Sequence, residues 1–222
     1  MTRPFPGGAS LPLSTDDFLH PSHTALVMWD FQKGLAGKAL NADAVIASAQ
    51  RLLAAADRNN VPVFWSRHVL PPLDLMSRPF KLFLMKKQKA AHPDDIAPAM
   101  QHGMEETEFV DGLAPAPNHV VIEKSQPSFF VDTPLDLRLK TLGVRTLVLA
   151  GVATDIGVEF TARHAAALGY FSTIAEDATG SYTLEAQARS IGFLRSWITP
   201  VMQVDDIAAT WDRLGASSGR AR

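Results

Sequence analysis

Residues 146–170 read TLVLAGVATDIGVEFTARHAAALGY, and the fold follows from how this stretch is parsed. Thr146–Ala150 is apolar without alternation, the pattern of a strand covered on both faces. Gly151 ends the run at a tight turn. From Thr154 to Leu168 the apolar positions recur at helical spacing, and Gly169 stops the helix. A strand, a glycine turn and a helix make half of a parallel crossover unit.

The same alternation extends in both directions. Ala25–Trp29 is a strand that ends at Asp30. Asp43–Asn59 is a helix carried by Val45, Ile46, Ala49, Leu52, Leu53 and Ala56. Val61–Trp65 is a second strand with Pro62 near its start. Leu73–Ala91 is a helix interrupted at Pro79, Val120–Glu123 a third strand, and Leu135–Leu142 a helix stopped by Gly143. After the opening stretch come a strand at Tyr170–Ala175, a helix at Leu184–Trp197 and a weak last strand at Thr199–Val204. The expected fold class is α/β, a three-layer α/β/α sandwich around a Rossmann-like, mostly parallel six-stranded sheet. Residues 1–22 are expected to form an N-terminal arm, 23–213 a single domain, and 214–222 a disordered tail.

Composition narrows the function classes. The chain has 222 residues, a formal net charge of −2 and no cysteine. Near-neutral charge argues against a nucleic-acid-coating protein. No window reaches the roughly 18 apolar residues of a membrane span, and no signal sequence is visible, so a cytoplasmic protein without a membrane partner is expected. The missing cysteine excludes disulfides, thiolate metal sites and a thiol nucleophile. Phosphate-loop, dinucleotide, serine-elbow and HExxH patterns are absent. The histidines at 20, 23, 68, 92, 102, 119 and 164 show no short ligand spacing. Neither a metal nor another cofactor is expected.

In an open parallel sheet, sites form at the carboxyl ends of the strands. That rule selects Asp30, the segment Ser66-Arg67-His68, Lys124, and the turn from Gly151 into the helix at Thr154. An acid, a base and a helix amino terminus then share one rim, suited to an anion or a developing oxyanion. Each residue also has a plainer reading. Asp30 fits a turn cap, Lys124 an exposed strand-end lysine, His68 a loop histidine, and Phe129 and Phe130 core.

Three segments taken together decide among these readings. ALVMWDFQ (25–32), VIEKSQPSFF (121–130) and the turn-helix stretch, followed by EDATG (176–180), resemble the isochorismatase-like hydrolase superfamily over about residues 23–204. That superfamily includes cysteine amidohydrolases such as nicotinamidases and ureidoacrylate amidohydrolases. The resemblance implies the isochorismatase-like hydrolase fold, a homodimer or higher homo-oligomer, a small-molecule substrate, and an Asp–Lys–Cys triad. By motif the aspartate is Asp30, the lysine is Lys124, and the cysteine position is Gly157. It also implies a cis peptide between Val152 and Ala153, with the Ala153 and Gly157 amides facing one oxygen. Phe31, Gln32, Arg67, His68, Phe129 and Phe130 are the expected substrate-binding residues.

Glycine at 157 offers no nucleophile, so no acyl-enzyme can form there. True isochorismatases resemble this chain in carrying glycine at that position, in a context comparable to DIGV (155–158). The resemblance therefore implies hydrolysis of a small carboxylate-type substrate by water, assisted by Asp30 and Lys124, with vinyl-ether cleavage as precedent. The missing side chain is expected to leave room for a larger substrate ring. A non-catalytic binder on the same scaffold, and an amidohydrolase inactivated by loss of its cysteine, are the alternatives.

Overall fold

The computed structural model describes residue 11, residues 14–197 and residues 200–218. Six parallel strands form one sheet in the order β3-β2-β1-β4-β5-β6. They are β1 (Thr24–Trp29), β2 (Val63–His68), β3 (Val120–Lys124), β4 (Thr146–Val152), β5 (Phe171–Gly180) and β6 (Val201–Met202). The helices are α1 (Thr15–Leu19), α2 (Ala42–Arg58), α3 (Arg78–Gln88), α4 (Leu135–Thr141), α5 (Glu159–Ala167), α6 (Leu184–Ser196) and α7 (Val204–Ser218). The chain builds outward from β1 through β2 to β3, then returns to place β4 on the other side of β1. Strand order therefore reverses between β1 and β4, where a doubly wound sheet opens a crevice for ligands.

Both central strands are buried at every position, as their unbroken apolar runs require. The helices divide the core in two. Leu52, Ala55 and Ala56 of α2 and Ile207 and Trp211 of α7 pack with Leu26, Met28 and Val148 on one face. Leu135, Leu139, Val158, Ala162 and Leu194 pack with Ala25, Val27 and Leu149 on the other.

Several boundaries differ from the sequence reading. β2 begins at Val63 and continues through Ser66, Arg67 and His68, because β3 pairs His68 with Lys124 at its far end. β3 is an edge strand and leaves Val121 and Glu123 exposed, so it is not covered on both faces. Pro79 sits in the first turn of α3 and starts that helix rather than interrupting one. β5 runs on through EDATG to Gly180, after a register shift between Leu149 and Gly151. The last strand shortens to Val201–Met202, and part of the expected strand lies outside the described residues.

α7 was absent from the sequence reading and extends to Ser218, past the expected body end at 213. Asp177 fixes its start, accepting from the Val204 amide at 2.8 Å. The expected arm holds a capped turn of helix: Ser14 and Asp17 form a capping box, and Asp16 pairs with Arg213 of α7.

Candidate active site

The site grows from the ends of β1 and β4. Asp30 is the first residue beyond β1 and adopts a left-handed backbone, with φ +49°. Ser66, at the β2 position paired with Trp29, braces it twice. The Asp30 amide donates to Ser66 Oγ at 2.9 Å, and the Ser66 hydroxyl donates back to Asp30 Oδ1 in a very short bond. Lys124, the last residue of β3, reaches across β2 and donates from Nζ to Asp30 Oδ2 at 2.7 Å. Both carboxyl oxygens are thus engaged. The two side chains are sealed from solvent, 0% exposed for Lys124 and 1% for Asp30.

Burial dominates the electrostatics of this pair. It pushes the Asp30 carboxyl up, and the Lys124 charge and the Lys124 and Ser66 hydrogen bonds pull it down without overcoming burial. It pushes the Lys124 ammonium down, against the opposing pull of Asp30. Both shifts act in the same sense, weakening the ion pair relative to its neutral form.

Trp29 completes the centre. Its ring lies under the Lys124 ammonium, 3.9 Å from Nζ to the ring centroid. Its benzo edge fills the space beside Gly157: a Cβ on that residue would stand 1.8 Å from Cζ2, 1.9 Å from Cη2 and 2.3 Å from Cε2. Gly151, in β4, makes way for the Trp29 main chain and the base of its side chain, since a Cβ there would meet the Trp29 carbonyl oxygen at 2.2 Å and Trp29 Cβ at 2.6 Å. Gly151 of the strand and Gly157 of the turn are therefore both spaces for one tryptophan. The expected room for a larger substrate ring beside Gly157 is taken by the indole, and that expectation is corrected.

The Val152–Ala153 peptide is cis, as the resemblance implies. The helix then opens with a wide π-type turn, Thr154–Val158. In that turn the Gly157 amide donates to the Ala153 carbonyl at 2.9 Å, and the Ile156 and Val158 amides approach the same oxygen at 3.3 Å. The Gly157 amide is thus occupied and does not share an oxygen of a ligand with Ala153, contrary to expectation.

Asp30, Lys124 and Gly157 meet at this centre, with Val152 and Ala153 in the adjoining buried turn. Four expected substrate-binding residues do not belong to it. Phe31 is buried in the α2–α7 core and Phe129 in the opposite core. Phe130 packs against Tyr170 and His164. Each is an ordinary core aromatic, the plainer reading. Gln32 is a clasp: its amide donates to the His68 and Thr107 carbonyls at 3.0 and 2.9 Å and accepts from the His68 amide at 2.6 Å. Both N–H groups of that amide are engaged by the protein's own main chain.

Arg67 turns to Glu123 at 3.8 Å and lies over the Phe109 ring. His68 lies near Lys124; burial first, then the Lys124 and Lys87 charges, hold it down to about 3. Its Nδ1 is buried without a partner. A cleft of about 520 Å³ opens beside β2 and β3, lined in part by Leu70, His102, Glu123, Ser125 and Asp132. Lys124 contributes only main chain to its wall, because its ammonium turns inward to Asp30.

The isochorismatase domain family matches residues 24–206, over the segments that build this centre. The chain belongs to the isochorismatase family. An uncharacterized isochorismatase family protein, YecD of Escherichia coli O157:H7, is 33% identical over 194 residues, 85% of this chain and 96% of the relative. The ureidoacrylate amidohydrolase RutB of Methylobacterium radiotolerans is 30% identical over 228 residues, 96% of this chain and 88% of RutB. A cysteine hydrolase from Pseudomonas syringae pv. phaseolicola 1448A superposes with a TM-score of 0.78 at 21% identity, over 89% of this chain and 96% of that one. The last likeness speaks for the fold. The protein is an isochorismatase-family hydrolase with an α/β architecture. Among the described residues no helix is long and apolar enough to cross a membrane, and no group of acidic or histidine side chains is placed to hold a metal.

Ser66, which the strand-end rule selects, braces Asp30 in this isochorismatase-family centre because β2 runs on past Trp65. One residue of the centre escaped sequence reasoning. Trp29 read as one more apolar strand residue. The pattern that points to it is a bulky aromatic at the end of β1 opposite Gly151 of β4 and Gly157 of the turn that follows, which becomes meaningful once β1 and β4 are known to be neighbours.

Proposed function

We propose that the chain hydrolyses a small carboxylate-type substrate by acid catalysis from Asp30, with water as the nucleophile and no covalent enzyme intermediate. The observation that carries this reading is the sealed Asp30–Lys124 pair beside a nucleophile position filled by an indole. Burial favours the protonated Asp30 that such a reaction needs.

On a vinyl ether, the Asp30 proton goes to the enol carbon, the double bond supplies the electrons, and an oxocarbenium ion results. Water adds to that ion and gives up a proton to the Asp30 carboxylate. The hemiketal then collapses to a carbonyl compound and an alcohol. Lys124 holds the carboxyl in place and stabilises it while it is charged. Isochorismatase-type ethers are the nearest precedent.

The Trp29 ring counts against an amidohydrolase that has simply lost its cysteine. A side chain placed at 157 alone would overlap the indole.

The test is a turnover screen of vinyl ethers, small esters and amides, followed by Asp30→Asn on any substrate found. Loss of about 10²–10⁴ in rate is expected. Unchanged turnover would remove Asp30 from the mechanism. One observation favours a second reading, a small-molecule binder without turnover: neither reacting side chain is exposed. Thermal shifts with ligands that are never converted would support it.

A further inference from the structure

We infer that Trp29 is a substrate-binding residue of this centre, its indole N–H donating to an oxygen of an anionic, carboxylate-bearing ligand held beside Lys124. The inference rests on the reading of Asp30 and Lys124 as the reacting pair.

The first observation is an orphaned donor. Trp29 is 4% exposed and its Nε1 has no hydrogen-bond partner. Trp65 Nε1 lies 3.2 Å from His119 Nδ1, whereas Trp211 Nε1, in the α2–α7 core away from the Asp30–Lys124 pair, shares the lack of a partner, so it is the position of the Trp29 donor that sets it apart. A buried polar group without a partner is costly, and its persistence calls for an explanation.

The second is position. Nε1 is bonded to Cε2, and Cε2 belongs to the ring edge that faces Gly157. The ring face carries the Lys124 ammonium. The orphaned N–H therefore sits at the junction of the Asp30–Lys124 pair and the Thr154–Val158 turn. That turn contributes a second orphan, the fully buried Thr154 hydroxyl.

The third is chemistry. An indole N–H and an ammonium only donate, and a hydroxyl can donate. A ligand that satisfies such a set must present acceptors, and a carboxylate presents them with the charge that Lys124 matches. The glycine at 157 thus has a positive role: it admits the ring edge that brings the N–H to this point.

The test is indole-¹⁵N NMR of the full chain. There are four tryptophans and hence four indole N–H signals. That of Trp29 is identified by its loss in Trp29→Phe, or by its contacts to the Gly157 α-protons. Sodium pyruvate and sodium benzoate are titrated in, with sodium chloride as control. The Trp29 signal is expected to move downfield and saturate with a carboxylate but not with chloride. Trp29→Phe removes the donor together with the benzo edge beside Gly157, so its loss of binding counts only alongside the indole shift of the natural chain. It should weaken carboxylate binding by about tenfold to a hundredfold in thermal-shift titrations.

A Trp29 signal unmoved by either carboxylate overturns the inference, as does equal affinity in Trp29→Phe. A shift that chloride reproduces means that the indole responds to ionic strength alone, and also overturns it. Should Trp29→Phe not fold, the titration of the natural chain decides. The hydrolase reading stands or falls separately, on Asp30→Asn turnover.

Discussion

Adding one methyl group at Gly157 should be felt through Trp29, and the structure sets the size of the effect. The new Cβ of Gly157→Ala would lie 1.8 and 1.9 Å from two ring carbons. Carbon atoms settle at about 3.5–4.0 Å, so the ring must withdraw by roughly 2 Å. It is wedged between Lys124, Gly151 and the helix turn, and overpacking of this kind costs about 1–3 kcal/mol. The better helix propensity of alanine returns at most about 1 kcal/mol. Trp29→Ala alone should cost about 3–5 kcal/mol through the cavity it leaves. In the double variant the methyl group meets no ring. Its penalty disappears, and the double should be more stable than the sum of the singles by about 1–3 kcal/mol. Urea unfolding of the four proteins measures this directly. The single Gly157→Ala should also melt a few degrees lower, at about 2–4 °C per kcal/mol for a chain of this size. Additivity to within about 0.5 kcal/mol would refute the claim that the indole occupies the place beside residue 157.

Further outcomes concern neighbouring features. Lys124→Met leaves Asp30 buried without its partner and should cost about 3–5 kcal/mol in urea unfolding, while Lys124→Met with Asp30→Asn should cost less than the sum. Gly151→Ala must place a Cβ at φ +150° and 2.2 Å from a backbone oxygen that cannot swing aside. A loss of more than about 3 kcal/mol is expected, and a near-natural unfolding midpoint would contradict the geometry. His68, held at about 3 in the fold against 6.5 when free, binds its proton more readily in the unfolded chain. Its contribution is therefore complete above pH 6.5 and lost as pH falls toward 3, at most about 5 kcal/mol, and His68→Gln should flatten that part of the stability–pH curve. Asp177→Ala removes the carboxylate that caps α7 and should cost about 1–2 kcal/mol, with Asp177→Asn recovering most of it.

The strand and helix alternation was legible because each central strand is apolar throughout and each helix carries a periodic face. Asp30 and Lys124 were legible for a related reason, since parallel sheets put their chemistry where strands end. Other features needed three dimensions. The Asp30–Lys124 contact spans 94 residues and depends on β3 lying two strands away from β1. The Trp29–Gly157 contact depends on β4 returning beside β1, which no local pattern states. Phe31, Phe129 and Phe130 carried the family motif but belong to the core: the loops beyond β1 and β3 fold Phe31 into the α2–α7 side and Phe129 and Phe130 into the other. α7 is missing from the sequence reading although Val204, Ile207, Ala208 and Trp211 fall at helical spacing, because that reading ends the last strand at Val204 and gives residues 205–213 of the domain no element.

Gln32 has a consequence for how the rim moves. Its side chain ties the end of β2 to the Thr107 segment, and the backbone around it pairs with that segment through Lys33–Glu108 and Val110–Phe31 hydrogen bonds. Three loops far apart in the chain are thereby fastened at one rivet. They cannot breathe one at a time: any opening that frees the main chain at His68 must also free Thr107. Their amides should therefore exchange with solvent together, as one cooperative unit, and a partner that reaches the centre from this side must wait for the whole unit to lift.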